Sequence, residues 1–362
     1  MMPGAPLQFL GPHSVNIFLT DLCNRRCPFC YLNNWITNDE RTAHHMTLKD
    51  LGTLIRWLNK SKINRVKLAG GEPMLHPNLL DFVKELMRKH IVIEGVLTNG
   101  LGATELYREV AVITGTNWLV NVTHPETYDR EEWELLNRNL ELLRWRNENR
   151  SVKLSGFDTT SLRHLCLSIT FYKPDQDYGY IIDLAKKYGC PVIRYDVSRP
   201  SSDKSNLYVD FDDLIKIKPT LMKFVRSCVR EGIKPGVDDA LPFCIFTQKE
   251  LMFLHLFSNF YSICIPHSDV FPDLTVEYCT SMRGILPSYK IPEKTAQQMF
   301  KELFSSANNY REHRLTRCDN CYNFTRALCQ GYCLRYKSDL LKREEKPETK
   351  RRSRIKWPKL WR

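Results

Sequence analysis

The sequence lacks any segment typical of an export signal or a membrane span. Residues 1 to 12 have neither the basic start nor the apolar core of a signal peptide. No later window approaches the apolar length that a membrane-spanning helix needs, and no internal repeat is present. These absences exclude secreted and membrane-embedded classes of protein and predict a soluble, cytoplasmic chain.

The thirteen cysteines are odd in number, so they cannot all pair in disulfides within the chain. In a reducing cytoplasm, such a set indicates metal or redox chemistry before it indicates disulfides. The chain has 362 residues, which is enough for one large domain and a smaller one that fold without disulfide cross-links. The spacing of the cysteines is therefore the evidence from which their metal or redox chemistry is inferred.

Apolar, β-branched runs alternate with amphipathic segments through the first two thirds of the chain, which is typical of a parallel sheet wrapped by helices. A capping box of Thr47 and Asp50 predicts one helix start, and a second helix is expected to begin at Pro77. Six such units predict an α/β fold, a partial (β/α)6 TIM-like barrel. The candidate strands are Val15 to Thr20, Arg65 to Ala69, Ile91 to Leu97, Trp118 to Thr123, Leu165 to Phe171 and Val192 to Ser198.

The alternation fades at about residue 210, which predicts four parts. Residues 13–210 form the barrel and residues 211–240 a linker helix. Residues 241–336 form a cysteine-rich domain, and residues 337–362 a basic tail.

Most of the net charge of +12 lies at the C-terminus, where residues 335–362 contain twelve Lys or Arg and four acidic residues. The favoured interpretation is a solvated, partly disordered tail. The alternative is a zinc-bearing nucleic-acid-binding protein, whose salt-sensitive binding would require residues 335–362.

Distinctive turns follow the predicted strands, and in a parallel barrel these turns meet at one open face. The first turn contains Cys23, Cys27 and Cys30. A cubane iron–sulfur cluster held entirely by protein takes four cysteines, so a triad leaves one iron free for another ligand. A zinc knuckle is the alternative, although zinc sites prefer four closed ligands.

The second turn is Gly70-Gly71-Glu72-Pro73. Its glycines allow close approach of the backbone to a ligand, and its carboxylate suits an ammonium group. With the triad and with Phe29 before Cys30, this turn resembles the radical S-adenosylmethionine (SAM) superfamily. The resemblance implies a [4Fe-4S] cluster that binds and cleaves SAM, with Gly70 to Pro73 holding the SAM amino group.

The resemblance also suggests, less specifically, which other residues contact SAM. Asn99 or Ser168 is expected at the ribose, and Arg194 at the carboxylate. Ordinary strand-end polarity or a structural ion pair is the alternative for each. His124 is expected to be structural, and no catalytic acid or base is assigned.

Seven further cysteines lie between residues 244 and 333, and this region resembles the SPASM extension, which binds auxiliary clusters. The resemblance implies one auxiliary [4Fe-4S] cluster on Cys244, Cys264, Cys279 and Cys333. A second would take Cys318, Cys321 and Cys329, but the family's final cysteine is absent. One or two auxiliary clusters are therefore expected.

Other departures from the family pattern are a seven-residue gap after Cys321 and Leu274 in place of a glycine. A zinc site at Cys318 to Cys333 is the alternative. Cys166, Cys190 and Cys228 lie within regular patterns and are expected to be small buried hydrophobes.

The resemblance implies a 5′-deoxyadenosyl radical that abstracts a substrate hydrogen, supplied with electrons by a flavodoxin or ferredoxin. The leading prediction is a peptide-modifying maturase, and the alternative is an oxidoreductase of a small molecule such as a sugar or cofactor precursor. Only fourteen residues precede the first strand, so a peptide is expected to need a separate carrier or direct docking. Thr280 stands where the sulfatase-maturing branch has a carboxylate, which weighs against that branch.

Overall fold

The computed structural model describes residues 14–148, 165–264 and 268–344. Within these ranges, ten strands form one sheet in the order β10-β9-β8-β1-β2-β3-β4-β5-β6-β7. The strands are β1 (Val15–Phe18), β2 (Arg65–Ala69), β3 (Val92–Thr98), β4 (Asn117–Asn121), β5 (Leu165–Phe171), β6 (Val192–Val197), β7 (Lys234–Val237), β8 (Ser268–Val270), β9 (Thr275–Glu277) and β10 (Tyr289–Lys290).

The helices follow the strands as the alternation predicted. They are α1 (Leu48–Lys60), α2 (Leu79–Arg88), α3 (Thr104–Thr114), α4 (Arg130–Glu148), α5 (Gly179–Lys187), α6 (Leu214–Arg230), α7 (Gln248–Phe257), α8 (Ala296–Glu312), α9 (Tyr322–Thr325) and α10 (Leu334–Glu344). None of the helices in the described ranges is both long and apolar enough to cross a membrane.

Strands β1 to β6 pair in parallel, which confirms the predicted partial barrel. The parallel sheet continues beyond these six, with β7 beside β6 and β8 beside β1. The predicted alternation ended at residue 210 and did not include β7, because the four residues of this strand include Pro235 and Gly236. The division into domains stays a prediction.

The two faces of the curved sheet differ in chemistry. On β6, Ile193, Tyr195 and Val197 are buried, whereas the alternate residues Arg194 and Asp196 are half-buried. Tyr195 packs edge-on against Phe224 of α6, so the buried set faces the helices. Because side chains alternate along a strand, the other set faces the inside of the barrel, which we call the lumen.

The predicted helix starts were partly right. Thr47 and Asp50 form the capping box before α1, with both reciprocal hydrogen bonds present. The helix expected at Pro77 begins two residues later, at Leu79, since Asn78 has a non-helical backbone. Leu79, Phe82, Val83 and Leu86 are buried as predicted.

The first residues of the predicted basic tail are helical and buried. Helix α10 covers Leu334–Glu344, and Lys337 and Ser338 are completely buried within it. The Lys337 ammonium donates to the carbonyls of Arg311 (2.7 Å) and Gln330 (2.8 Å), and burial lowers its pKa to about 7. This part of the chain is therefore core, while residues 345–362 lie outside the described residues.

His76 provides a test of the packing around α2. It is 3% exposed, its Nε2 lies 2.9 Å from the Met46 carbonyl, and burial lowers its pKa from 6.5 to about 4. The unfolded chain binds a proton at His76 below pH 6.5, whereas the folded chain does not until about pH 4. His76 therefore removes stability as the pH falls through that window.

We expect the wild type to lose about 2 to 3 kcal/mol more unfolding free energy than a His76→Gln variant between pH 7.5 and pH 4.5. Urea denaturation of both proteins at both pH values measures the difference. Equal losses in the two proteins would contradict the assignment.

Candidate active site

The three cysteines of the triad share one loop directly after β1. Cys23 is 7% exposed, and Cys27 and Cys30 are half-buried. Burial raises the pKa of Cys23 to about 11 and that of Cys30 to about 12, and the neighbouring cysteines add to both shifts. Cys27 therefore lies close enough to influence both of the other thiols.

The Gly70-Gly71 turn packs directly against this loop. The Gly71 N–H donates to the Thr20 carbonyl (2.8 Å), and the Glu72 N–H donates to the Leu22 carbonyl (2.7 Å). A β-carbon on Gly71 would lie 2.4 Å from the Leu22 oxygen, and one on Gly70 would lie 2.6 Å from the Thr20 oxygen. The glycines are thus needed for contact with the cysteine loop, a role that the sequence analysis did not foresee.

Glu72 is completely buried and faces protein donors. Its Oε1 accepts from the Thr98 hydroxyl (2.7 Å) and the Met74 N–H (3.1 Å), and its Oε2 accepts from the Asn99 N–H (2.7 Å). Burial raises its pKa to about 7. Instead of presenting its carboxylate to a ligand, Glu72 ties the second turn to the end of β3, and Pro73 is buried beside it.

Asn99 connects the third turn to the triad. Its amide donates to Asn24 Oδ1 (2.8 Å) and lies 4.0 Å from Cys23 Sγ. Asn99 therefore lies at the mouth where the first three turns meet, as the sequence predicted.

A cleft of about 530 Å³ opens beside Cys27, within the size range of small-molecule sites. Phe29 lies in its wall, 8% exposed, and stacks on Tyr172 with ring centroids 5.1 Å apart. The cleft is lined by Asn24, Arg25, Arg26, Cys27, Pro28, Phe29, Val122, Thr123, His124, Glu126, Thr127, Thr170, Tyr172, Lys173, Asp175, Gln176, Asp177 and Tyr180.

Arg25 is a site residue that the sequence analysis missed. Its guanidinium donates to Glu132 (2.8 Å), Thr123 (3.1 Å) and Thr127 (3.0 Å), and its charge lowers the pKa of Cys27 against the effect of burial. Its position inside the triad was the available signal. His124, expected to be structural, contacts Asp177 (3.3 Å) at the cleft edge.

Ser168 and Arg194 lie in the lumen and not in the cleft lining. They are neighbours in register on β5 and β6, and Ser168 is 6% exposed. Arg194 pairs with Asp238, which matches the structural ion pair left open by the sequence. Cys166, expected to be buried, is half-buried on β5 beside Arg194, while Cys190 and Cys228 are buried.

The lumen carries further charges that the sequence analysis missed. Oxygen atoms of Asp196, Asp238 and Asp239 all lie within 4.8 Å of one another. Arg194 pairs with Asp238, and Arg199 pairs with Asp239 and approaches Asp196 at 3.8 Å. These carboxylates are therefore largely neutralised by arginine.

The seven downstream cysteines divide into two groups by the thiols that influence one another. Burial raises the pKa of Cys244 and that of Cys318, and Cys329 and Cys321 add to both shifts, as does Cys244 at Cys318. Cys244 is therefore grouped with these three cysteines, while the predicted ligand sets stay predictions. We call Cys244, Cys318, Cys321 and Cys329 the four-cysteine group.

The other cysteines form a three-cysteine group of Cys264, Cys279 and Cys333. Cys264 and Cys279 both raise the pKa of Cys333, and Cys279 raises that of Cys264. This grouping places Cys244 with the second predicted set, and the ligands of each cluster stay a prediction.

Residues 17–159 match the model of the radical SAM superfamily, in agreement with the resemblance carried by the cysteine triad and the Gly70-Gly71 turn. A [4Fe-4S] cluster and SAM are the cofactors that this superfamily implies.

Curated relatives match about a third of the chain or less. GTP 3′,8-cyclase of Peptoclostridium acidaminophilum is 31% identical over 120 residues, which is 32% of this chain and 36% of that enzyme. Human molybdenum cofactor biosynthesis protein 1 is 33% identical over 93 residues, which is 25% of this chain and 14% of that protein. The matches therefore span well under half of these relatives.

Solved structures match over most of the chain. SuiB of Streptococcus suis bound to SAM has a TM-score of 0.60 at 15% identity, covering 89% of this chain and 73% of SuiB. The anSMEcpe structure with bound SAM has a TM-score of 0.60 at 16% identity, covering 91% of this chain and 94% of anSMEcpe. These likenesses show the fold over most of the chain.

A Gly71→Ala variant tests the contact between the second turn and the triad loop. Because the new β-carbon would overlap the Leu22 backbone, we expect the loop to shift and the reconstituted chain to hold about four fewer irons, one cubane. Gly52→Ala is the matched control, since its β-carbon would meet only Arg56 at 3.7 Å. Full iron content in Gly71→Ala would contradict the assignment.

Proposed function

We propose that this chain cleaves SAM reductively and directs the resulting 5′-deoxyadenosyl radical to abstract a hydrogen atom from a substrate. The observation that carries the proposal is the triad loop, which is held on the Gly70-Gly71 turn and opens into the cleft beside Cys27. When bound, the cluster supplies the electron that cleaves the sulfonium bond of SAM.

The donor set at the triad suits that cluster. Cys23, Cys27 and Cys30 offer three soft sulfur ligands, as an iron–sulfur site requires, and three of them leave one iron for the amino and carboxylate groups of SAM. Arg25 places a fixed positive charge beside Cys27, which favours thiolates over thiols.

The chain's own residues would orient SAM around the triad. We assign its amino group to the backbone of Gly70 and Gly71, since the Glu72 carboxylate is engaged by protein donors. The stacked rings of Phe29 and Tyr172 offer an apolar wall for the adenine, and Asn99 is placed to reach the ribose. Ser168 and Arg194 are more distant candidates, in the lumen.

We propose two auxiliary [4Fe-4S] clusters. The four-cysteine group offers a complete ligand set, whereas the three-cysteine group leaves one iron open to substrate or another ligand. A zinc ion in the four-cysteine group is the competing possibility. The thirteen cysteines are all unpaired, which suits a reducing cytoplasm and an electron donor such as a flavodoxin or ferredoxin.

A peptide is the proposed substrate, and the reaction would be a maturation step. The support is the fold likeness over 89% of this chain to SuiB, a protein that has also been solved bound to its precursor peptide SuiA. Neighbouring genes bear on this choice, because a short peptide gene beside the gene for this chain would favour it.

A small polar molecule is the second candidate. The matching GTP 3′,8-cyclases favour it, as does the charged lumen with Arg194, Asp196 and Arg199. Such a lumen suits polar groups better than apolar peptide side chains.

Anaerobic reconstitution followed by a SAM cleavage assay tests the proposed function. We expect about twelve irons per chain, since each cubane holds four, and we expect dithionite-dependent formation of 5′-deoxyadenosine. A triple Ala variant of Cys23, Cys27 and Cys30 should lose the 5′-deoxyadenosine and about four irons. A colourless protein that contains only zinc would overturn the proposal.

Single cysteine variants test the division of the auxiliary ligands. We expect Cys244→Ala and Cys318→Ala to remove the same auxiliary EPR signal of the reduced protein, because both lie in the four-cysteine group. Cys264→Ala should remove a different signal. Loss of one common signal in Cys244→Ala and Cys264→Ala would instead support the ligand set predicted from sequence.

A further inference from the structure

The segment that follows β6 returns to the triad loop. It spans residues 198–207, and we call it the β6 loop. The Leu207 N–H donates to the Pro28 carbonyl (2.7 Å), and the Asn33 amide donates to the Ser205 hydroxyl (3.0 Å). These hydrogen bonds hold the second half of the triad loop, whereas the glycine turn after β2 contacts the chain just before it.

Asn206 lies at the centre of this contact and is buried, with only 5% of the residue exposed. Its Oδ1 accepts from the Ser201 N–H (2.7 Å). Its Nδ2 donates to the Arg199 carbonyl (2.8 Å) and the Phe29 carbonyl (3.1 Å), while the Leu207 carbonyl is farther away, at 3.5 Å. An amide nitrogen carries two hydrogens, so the two nearest carbonyls use both of them.

The Phe29 carbonyl has a second neighbour in Ser198, whose hydroxyl oxygen lies 3.2 Å away. That hydroxyl has a single hydrogen and lies closer to the Leu207 carbonyl, at 2.6 Å. Ser198 therefore donates mainly to Leu207. The Asn206 amide is the principal donor to the Phe29 carbonyl.

Phe29 connects this hydrogen bond with the cleft. Its ring lies in the cleft wall, is 8% exposed and stacks on Tyr172 with ring centroids 5.1 Å apart. The carbonyl that Asn206 holds belongs to the same residue and forms the peptide bond to Cys30. A hydrogen bond at this carbonyl therefore fixes the main chain from which the ring extends.

The β6 loop is itself held in place by α10. The Tyr336 hydroxyl donates to the Ser198 carbonyl (2.5 Å), and the Lys204 ammonium pairs with Asp339 at 3.0 Å. Asn206 therefore donates to the triad loop from a loop that is anchored elsewhere.

We propose that Asn206 is a positioning residue for SAM, because its amide holds the Phe29 carbonyl and thereby places the Phe29 ring in the wall assigned to the adenine. The inference rests on the proposed function, since it requires SAM in the cleft beside Cys27. Asn206 does not line the cleft, so it acts through Phe29. Without the amide, the Phe29 carbonyl would keep only the more distant Ser198 hydroxyl.

The test is steady-state SAM cleavage by the reconstituted full chain, with dithionite as the electron source and with iron counting. We expect Asn206→Ala to raise the KM for SAM about tenfold, the effect of one lost buried hydrogen bond. The kcat should fall less than the KM rises, and the iron content should equal that of the parent. Ser198→Ala should raise the KM less than Asn206→Ala, because its hydroxyl donates mainly to Leu207.

A double-mutant cycle with Phe29→Ala separates positioning from a purely structural role. If Asn206 acts through the Phe29 ring, Asn206→Ala should raise the KM by no more than about twofold once the ring is absent. Independent effects of the two substitutions would instead multiply in the double variant.

Asn117→Ala is the matched control, because the Asn117 amide likewise donates to a main-chain carbonyl, that of Glu94 (2.9 Å). Asn117 begins β4, at the end of the barrel away from the triad, so the KM for SAM should stay unchanged.

Four outcomes would overturn the inference alone. They are an unaltered KM in Asn206→Ala, loss of its triad iron, a larger effect of Ser198→Ala, and effects of Asn206→Ala and Phe29→Ala that multiply. Loss of the triad iron would mean that Asn206 holds the whole cysteine loop instead of the Phe29 ring. Absence of 5′-deoxyadenosine from the parent protein would overturn both the inference and the proposed function.

Discussion

The close backbone contact between Gly70-Gly71 and Thr20 to Leu22 is the constraint on which the active site depends. It joins the ends of β1 and β2 at a distance that no side chain permits. Glu72 then fixes the same turn to Thr98 and Asn99 at the end of β3. Three successive strand ends are thus locked together before any cofactor is considered, and the cysteine loop takes its position from them.

Local patterns predicted the barrel well. Capping at Thr47, the apolar period of α1 and the β-branched runs depend on neighbours in sequence, so they could be assigned without a structure. The grouping of the downstream cysteines could not, because Cys244 comes near Cys318 only through the path of the chain after β7. Likewise, Arg199 gave no signal beyond its place after a strand, since its partners come from distant segments.

The alternation along β6 explains how one strand serves both stability and chemistry. Ile193, Tyr195 and Val197 face the helices and are buried, where they gain the free energy of apolar burial. Arg194 and Asp196 face the lumen, where each carries a charge close to one of the opposite sign. Paired charges cost less to bury than isolated ones, so the interior can be polar without opening the barrel.

Helix α10 changes where the chain can be shortened. Lys337 is completely buried and bonds to Arg311 and Gln330, and Arg335 is 2% exposed and pairs with Asp339. Removing residues 335–362 to assess nucleic-acid binding would also remove this helix, and lost binding would then report unfolding. A truncation that isolates the basic segment should retain Glu344, leaving the helix and its buried ammonium intact.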